Sequence, residues 1–325
     1  MQSNAGMIGG RRGWAGRMRR WGWLVALAFL LLGAWVLTAS RVGGRVEGCA
    51  EGCATVQQRS EGPVRIMSLN VLHGFPHFEH LSERLDLIAG EIERQDADIV
   101  CLQEVPWRPG LGSAAAYLGR RTGLNHLYLR ANGNRYTILF QEGEAILSRY
   151  PLRQVRFTEL EPRAGFFEHR VVLGATAVTP WGEIRIFSTH LTNGAPAINR
   201  AQAASLRSFV ETAGDGPAIV AGDFNATEDT PQVQDLAGGW VDTYRAVHPQ
   251  EAGLTCCVDD LTHGPDEPLE KRIDYIFFVP GTGRGGRAVD SRRVLDRPFR
   301  VGDGWLWASD HVGVLTAIEA YTPAP

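Results

Sequence analysis

The sequence predicts an α/β domain carried behind one N-terminal membrane-spanning helix. Two observations lead there. From Pro63 onward, apolar runs of strand length alternate with amphipathic helical stretches. Ahead of them, Trp21 to Ala39 runs without a charged residue, close to the length of about 20 residues that a helix needs to cross a bilayer. At 325 residues the chain has room for one large domain or two small ones. It shows no internal repeat and no composition break after residue 62, so one domain is expected. Hydrophobic content of 44% and charged content of 21% place it among ordinary globular proteins.

Residues 1–20 form a basic tail with Arg11, Arg12, Arg17, Arg19 and Arg20, and only Arg41 and Arg45 closely follow the apolar run. The more basic flank stays in the cytoplasm, so the tail is expected there and the body outside. Residues 21–39 read as the anchor, with Trp21, Trp23 and Trp35 suited to the membrane interfaces. A long signal peptide cleaved near Thr38-Ala39-Ser40 is the alternative, and it exports the body equally. Residues 40–62, rich in glycine and polar groups, read as a tether, and 63–320 as the catalytic body. An oxidising compartment permits a Cys49–Cys53 disulfide, although connectivity is not readable from sequence. Cys256-Cys257 is a vicinal pair and Cys101 lies in an apolar strand; no Cys/His spacing resembles a zinc site.

Taken in order, Val64 to Asn70 reads as a strand ending in an amide. Leu81, Leu85, Ile88 and Ile92 recur at helical spacing and predict a helix over about 80–95. Asp98 to Glu104 is a second buried strand, ending in a carboxylate. A helix is expected near 113–121, then strands near 126–130, 136–140 and 144–148. Val171–Val178 and Glu183–Thr189 form a hairpin around Thr179-Pro180-Trp181-Gly182. Ala203, Leu206, Val210 and Ala213 mark a further helix stopped by Gly214. The last strands are Ile273–Val279 and Val312–Ile318.

The chemistry centres on Gly222-Asp223-Phe224-Asn225, which follows the apolar run Ala218–Ala221. Glycine is expected to let the backbone turn. At strand spacing, positions i and i+2 share a side, so an acceptor-only carboxylate and an amide face one spot. Gly, Asp and Asn also form plain turns, so the company matters. Asn70, Glu104, His190, Asp223, Asn225, Asp274, Asp310 and His311 all fall at strand ends or beside them. Clustered acids and imidazoles are costly unless paired or metal-bound.

These positions lie in RIMSLN, IVCLQEV, EAILSRYPL, FSTHL, GDFNA, RIDYIFF and ASDHVGVL, in that order. The set resembles the signature motifs of the endonuclease/exonuclease/phosphatase superfamily over about 64–319. That group includes secreted deoxyribonucleases, abasic-site endonucleases, neutral sphingomyelinases and inositol polyphosphate 5-phosphatases. The resemblance implies a four-layer α/β sandwich, two packed β-sheets flanked by helices, with the active site at one edge. It implies that Glu104, with Asn70 near metal and phosphate and Asp310 on the metal side, holds Mg²⁺ or Mn²⁺, which suits a hard oxygen site. It implies that Asp223 orients or deprotonates the attacking water and that Asn225 contacts the phosphate. His311 then donates to a phosphoryl oxygen while Asp274 holds its ring. His190 resembles the second histidine of the deoxyribonuclease, sphingomyelinase and 5-phosphatase branches; abasic-site endonucleases typically carry Asn there. Leu72 stands where those endonucleases have Asp. Glu144 departs from the small or amide residue of many relatives and is expected near the substrate groove. His73 and His77 lie in the loop after the first strand, within reach of substrate or as plain loop residues.

Residues 1–60 carry eight Arg and two Glu, leaving 25 basic and 34 acidic groups in the remainder, a charge of −9. So acidic a body is a poor non-specific polyanion binder, although arginines cluster at 284–300. The expected protein is an exported, membrane-tethered, Mg²⁺-dependent hydrolase of a phosphodiester or phosphomonoester, with phospholipid or lipid-linked phosphate favoured over nucleic acid. An extracellular endo- or exonuclease and a catalytically inactive binding module are the alternatives. If the charge asymmetry sets topology, protease added to spheroplasts removes the body; protection would mean the opposite orientation.

Overall fold

The computed structural model describes residues 11–39, 41–49, 53, 62–282 and 285–321. The chain divides into two units, Met1–Arg41 and Val42–Pro325. The first is a helix, Arg11–Ala39, whose stretch Arg19–Leu37 has a mean hydropathy of 1.7 and no buried share, so it is long and apolar enough to cross a membrane.

The second unit contains two large sheets. The first runs in the order Glu47–Gly48, Asn125–Asn134, Phe140–Ser148, Ile99–Gln103, Val64–Asn70, Gly313–Tyr321 and Gly285–Val294. The second runs Val241–Asp242, Asp274–Val279, Ala218–Asp223, Gly182–His190, Val171–Thr179 and Leu152–Glu159. Each has one parallel pair at its centre: Val64–Asn70 beside Ile99–Gln103, and Gly182–His190 beside Ala218–Asp223. Parallel neighbours need a crossover, which the helices Leu81–Arg94 and Pro196–Thr212 supply.

Strand residues alternate sides, and this period of two builds four layers. Ile66, Ile99, Cys101, Leu129 and Ile146 meet Leu173, Ile186, Ile219, Ala221 and Ile276 between the sheets. Met67, Leu69, Val100 and Leu102 face the other way, against Leu85, Ile88, Ala115 and Leu118 of two helices. Phe187, Val220 and Phe277 do the same in the second sheet, against Leu206, Val210 and Leu236. Toward one edge the inward positions turn polar. Ile66 is succeeded by Ser68 and Asn70, Cys101 by Gln103, Ile186 by Ser188 and His190, and Ala221 by Asp223. The pairs Asn70–Gln103, His190–Asp223 and Asp223–Asp274 stand in register, so these ends gather at the same rim.

Several expectations change. The segment 136–140 is mainly a turn: the Asn134 carboxamide oxygen accepts from the backbone N–H of Tyr136 (2.7 Å) and Thr137, and the strand starts at Phe140. Leu152–Glu159 and Gly285–Val294 are strands that the pattern did not announce; both are half-exposed edge strands whose charged residues mask the alternation. The helix expected around Ala203 starts earlier, at Pro196, where a missing N–H costs nothing. Part of the expected tether belongs to the first sheet, since Glu47–Gly48 pairs with Leu127 and Tyr128 and Val42 and Val46 pack on the inter-sheet core. Residues 50–52 and 54–61 of it lie outside the described residues. Cys49 and Cys53 are disulfide-bonded, as are Cys256 and Cys257, and Cys101 is free and buried.

Arg84 ties the helix Leu81–Arg94 to the rim. Its buried guanidinium donates to the carbonyls of Glu79, Val71, Leu72 and Ala308, at 2.8 to 3.2 Å. Burial lowers its pKa to about 10, against the pull of Asp310 and Glu104. Arg84→Met strips four carbonyls of a charged donor and is expected to destabilise the body by about 3 kcal/mol or more, seen as a lower urea midpoint.

Candidate active site

The first sheet brings an amide and a carboxylate together. Asn70 ends its strand, and its Nδ2 donates to Glu104 Oε1 (3.2 Å) and, across the sandwich, to Asp223 Oδ2 (3.1 Å). Glu104 lies just past its strand with φ 53°, a left-handed conformation that turns its carboxylate back under the His73 N–H. Asp310 stands on the neighbouring loop, where Ser309 Oγ donates to the Asn70 carbonyl (2.6 Å) and lies 3.2 Å from Asp310 Oδ1. Burial raises the Asp310 pKa, and the nearby Glu104 raises it further despite His311.

The second sheet supplies the remainder. Asp223 ends the strand Ala218–Asp223, and its buried carboxyl is pushed up to about 7 by desolvation, with Asp274 adding to it and His311 opposing. Gly222 serves differently from expectation: it stays in the strand, and a Cβ there would fall 1.9 Å from the Thr189 carbonyl, so it permits close strand approach. The turn comes at Asn225 instead, with φ 48° and its N–H donating to Asp223 Oδ1 (2.8 Å). The two side chains therefore converge through a turn, not through strand spacing. His190 Nε2 lies 3.3 Å and His311 Nε2 3.7 Å from Asp223 Oδ2. His311 Nδ1 is 2.9 Å from Asp274 Oδ2. Burial alone would lower the pKa of His311, but Asp274 and Asp223 hold it well above the ordinary value. His190 also faces Asp223, but burial and the Arg170 guanidinium lower its pKa well below the ordinary value.

All eight sequence-expected residues thus reach one rim. Among the described residues, the groups compact enough to share one ion are Asp223–Asp274–His311 and Cys256–Cys257–His311. In the first the imidazolium already supplies the positive charge; in the second both sulfurs are in a disulfide. Asn70, Glu104 and Asp310 offer hard oxygen donors and a like-charge repulsion that a cation relieves, and this chemistry fits Mg²⁺ or Mn²⁺.

Glu144 does not face a groove. It is buried beneath the rim, accepts from Ser188 Oγ (2.8 Å), and desolvation raises its pKa well above the ordinary value. His73 is held against Glu104 and Phe140, whereas His77 is exposed. Four of the described arginines of 284–300 are engaged: Arg287 pairs with Glu319, Arg292 with Asp290, Arg293 with Asp296, and Arg300 lies over Trp305, whereas Arg297 is exposed. Sequence reasoning missed Arg170, whose Nη1 contacts His190 Nδ1 at 2.9 Å. Its position just before the apolar run Val171–Ala175 carries no signal that it points into the site.

A family model described as "Endonuclease/Exonuclease/phosphatase family" matches residues 67–311. No curated protein matches the chain. Among solved structures, a mannosyl-6-phosphatase from Bacteroides thetaiotaomicron is similar at TM-score 0.62 and 17% identity, covering 79% of this chain and 99% of that one. D. rerio TDP2 complexed with a single-strand DNA product is similar at TM-score 0.61 and 18% identity, covering 80% and 100%. A family protein from Leptotrichia buccalis gives 0.60 and 18%, covering 79% and 99%. At these identities the likeness concerns the fold.

The Asp274–His311 contact makes a direct prediction. Because the carboxylate favours the charged imidazole, Asp274→Asn should lower the His311 pKa, and NMR titration reads it. Losses of turnover in Asp274→Asn and His311→Ala should also fail to add if the pair acts as a unit; a double mutant showing their full sum would separate the two residues.

Proposed function

The chain belongs to the endonuclease/exonuclease/phosphatase family, whose fold implies a phosphoester hydrolase, and within it we propose an exported, membrane-tethered, divalent-metal-dependent phosphodiesterase acting on phospholipid or lipid-linked phosphate. The observation that carries the hydrolase is the meeting of Asp223, Asn225, His190 and the Asp274–His311 pair at one point.

In this reading Asp223 orients a water and takes its proton, since its carboxylate lies within reach of both histidines and its raised pKa matches a base at neutral pH. Asn225 and His190 bind non-bridging phosphoryl oxygens from one side. His311, protonated and held by Asp274, meets the charge that develops from the other. Glu104, Asn70 and Asp310 would hold the divalent ion, which when bound supplies charge neutralisation at the phosphoryl oxygens. Water attacks directly and no covalent enzyme intermediate forms.

The substrate reading rests on what surrounds this point. Phe75, Tyr136, Ile138, Leu139, Phe166 and Phe167 are exposed, with Tyr136 89%, Phe166 56% and Phe167 59% accessible. They sit on three loops: after Val64–Asn70, between Asn125–Asn134 and Phe140–Ser148, and between Leu152–Glu159 and Val171–Thr179. The registers Leu102–Ala145, Glu159–Val171 and Val172–Thr189 put all three at the edge that carries Glu104 and His190. An apolar fringe around a phosphoester site suits an amphiphile at a bilayer, and the span Arg19–Leu37 would confine the body there. A nuclease is the second reading, because exposed aromatics also stack unpaired bases and TDP2 was solved with single-strand DNA product. The −9 body and its paired arginines weigh against it.

Glu104→Gln or excess EDTA should cut turnover by about 100-fold or more; full turnover in EDTA would remove the metal from the reading. Turnover should rise with pH through about 7, because a protonated Asp223 cannot accept the proton of water. Replacing Tyr136, Phe166 and Phe167 together by Ser should lower the ratio of phospholipid-vesicle to soluble bis-p-nitrophenyl phosphate hydrolysis by about tenfold or more, each ring contributing about 1 kcal/mol or more on burial. An unchanged ratio, with efficient cleavage of single-stranded DNA, would favour the nuclease.

A further inference from the structure

The buried imidazole of His190 lies between two N–H donors. Arg170 Nη1 is 2.9 Å from Nδ1, and Asn225 Nδ2 is 2.9 Å from Nε2. A neutral imidazole has one lone pair to offer and an imidazolium has none, so both contacts cannot be hydrogen bonds to the ring and the ring cannot be charged. The guanidinium is permanently protonated and has no other way to meet His190, whereas Asn225 Nδ2 also donates to the Leu191 carbonyl at 3.0 Å. Arg170 therefore takes the lone pair of Nδ1, and the ring proton sits on Nε2. On that side stands an acceptor, Asp223 Oδ2 at 3.3 Å.

Arg170 is built for this. Its Nη2 donates to Glu168 Oε1 (3.1 Å), and Thr192 Oγ1 donates to the same oxygen (3.0 Å), which fixes the plane of the guanidinium. Among the described residues its buried Nε has no hydrogen-bond partner, so the side chain is aimed by its terminal nitrogens. The other titratable groups that bear on His190 are Asp223, 3.3 Å away on the Nε2 side, and the imidazoles of His311 and His73.

We propose that Arg170 is a positioning residue that holds His190 as the neutral Nε2–H tautomer, making it a hydrogen-bond donor to a phosphoryl oxygen. The role of the tautomer in turnover rests on the phosphodiesterase reading; the tautomer itself does not. An imidazole with the opposite tautomer would present a lone pair to an anionic oxygen and repel it. A charged one would lose its bond to the guanidinium and sit against a like charge.

The test uses the full-length chain in detergent micelles, labelled with ¹⁵N-histidine, with His190→Gln to assign the resonance. At neutral pH, wild-type His190 should show a protonated Nε2 and a bare Nδ1. Arg170→Met should give mixed tautomers and lower kcat on bis-p-nitrophenyl phosphate by about tenfold or more, with KM little changed. Arg170→Lys, which keeps one charged donor, should restore the tautomer and part of kcat. Unchanged His190 nitrogens in Arg170→Met, or, should the Met variant not fold, mixed tautomers in Arg170→Lys, would overturn the proposal. So would a rise in KM alone, which would mean that Arg170 grips phosphate. The expected spectra without turnover of any phosphoester would instead sink the phosphodiesterase reading and leave the tautomer standing.

Discussion

Everything at the rim follows from a switch of polarity within the inter-sheet layer. The same faces that hold Ile66, Ile186, Ile219 and Ile276 deeper down carry Asn70, His190, Asp223 and Asp274 at one end. The apolar half needs no direction beyond packing, but the polar half must satisfy every group it hides. Asn70 does the most with least: one Nδ2 spans the two sheets, bonding Glu104 of its own sheet and Asp223 of the other. An amide suits that place because it bridges two acids without adding charge. A carboxylate there would put three anions in contact, and an aliphatic residue would leave two buried acceptors unpaired.

The surplus of acid explains why neighbouring histidines differ. Asp223, Asp274, Glu142 and Glu144 are buried near the edge, with Glu104 and Asp310 partly so. His311 faces Asp274 and Asp223 and keeps its proton. His190 faces Asp223 too, but a guanidinium occupies its other nitrogen and the proton is refused. One carboxylate therefore lies between two imidazoles with different surroundings, and in the proposed hydrolase this asymmetry would let a single acid act as base toward water while both imidazoles address the phosphate. Environment sets the roles, as it does wherever like groups are tuned apart.

The sequence was legible where one principle acted alone. The period of two in Val64–Asn70 and Ala218–Asp223, and that of 3.6 in Leu81–Arg94, located the central strands and a crossover helix. The resemblance then located Asn70, Glu104, His190, Asp223, Asn225, Asp274, Asp310 and His311, which the structure brings to one rim. Legibility failed at edges, where Leu152–Glu159 and Gly285–Val294 are half-solvated and their polar residues erase the alternation. It also failed for partners distant in sequence. Nothing local says that Arg170 meets His190 twenty residues on, or that Glu144 sits under Ser188 instead of lining a groove. Gly222 misled because glycine signals turns, whereas here the missing Cβ makes room for the Thr189 carbonyl.

Part of the strained backbone lies at the site, while other non-glycine residues with positive φ, such as Asp96 and Gln154, lie elsewhere. Leu72, Glu104 and Asn225 all adopt φ near +50°, a region that costs a side-chain-bearing residue about 1–3 kcal/mol unless its surroundings over-determine it. Those surroundings are visible. Leu72 is clamped from both ends, its N–H on Asn70 Oδ1 and its carbonyl on Arg84 Nη2. Asn225 is held through Asp223 Oδ1 and the Leu191 carbonyl. Glu104 is held by Asn70 and the His73 N–H. Each clamp uses a residue of the site or the Arg84 staple, so the catalytic geometry and the strained turns stabilise one another. Arg84 thereby fixes the loop between Asn70 and His73 on which the Glu104 carboxylate leans.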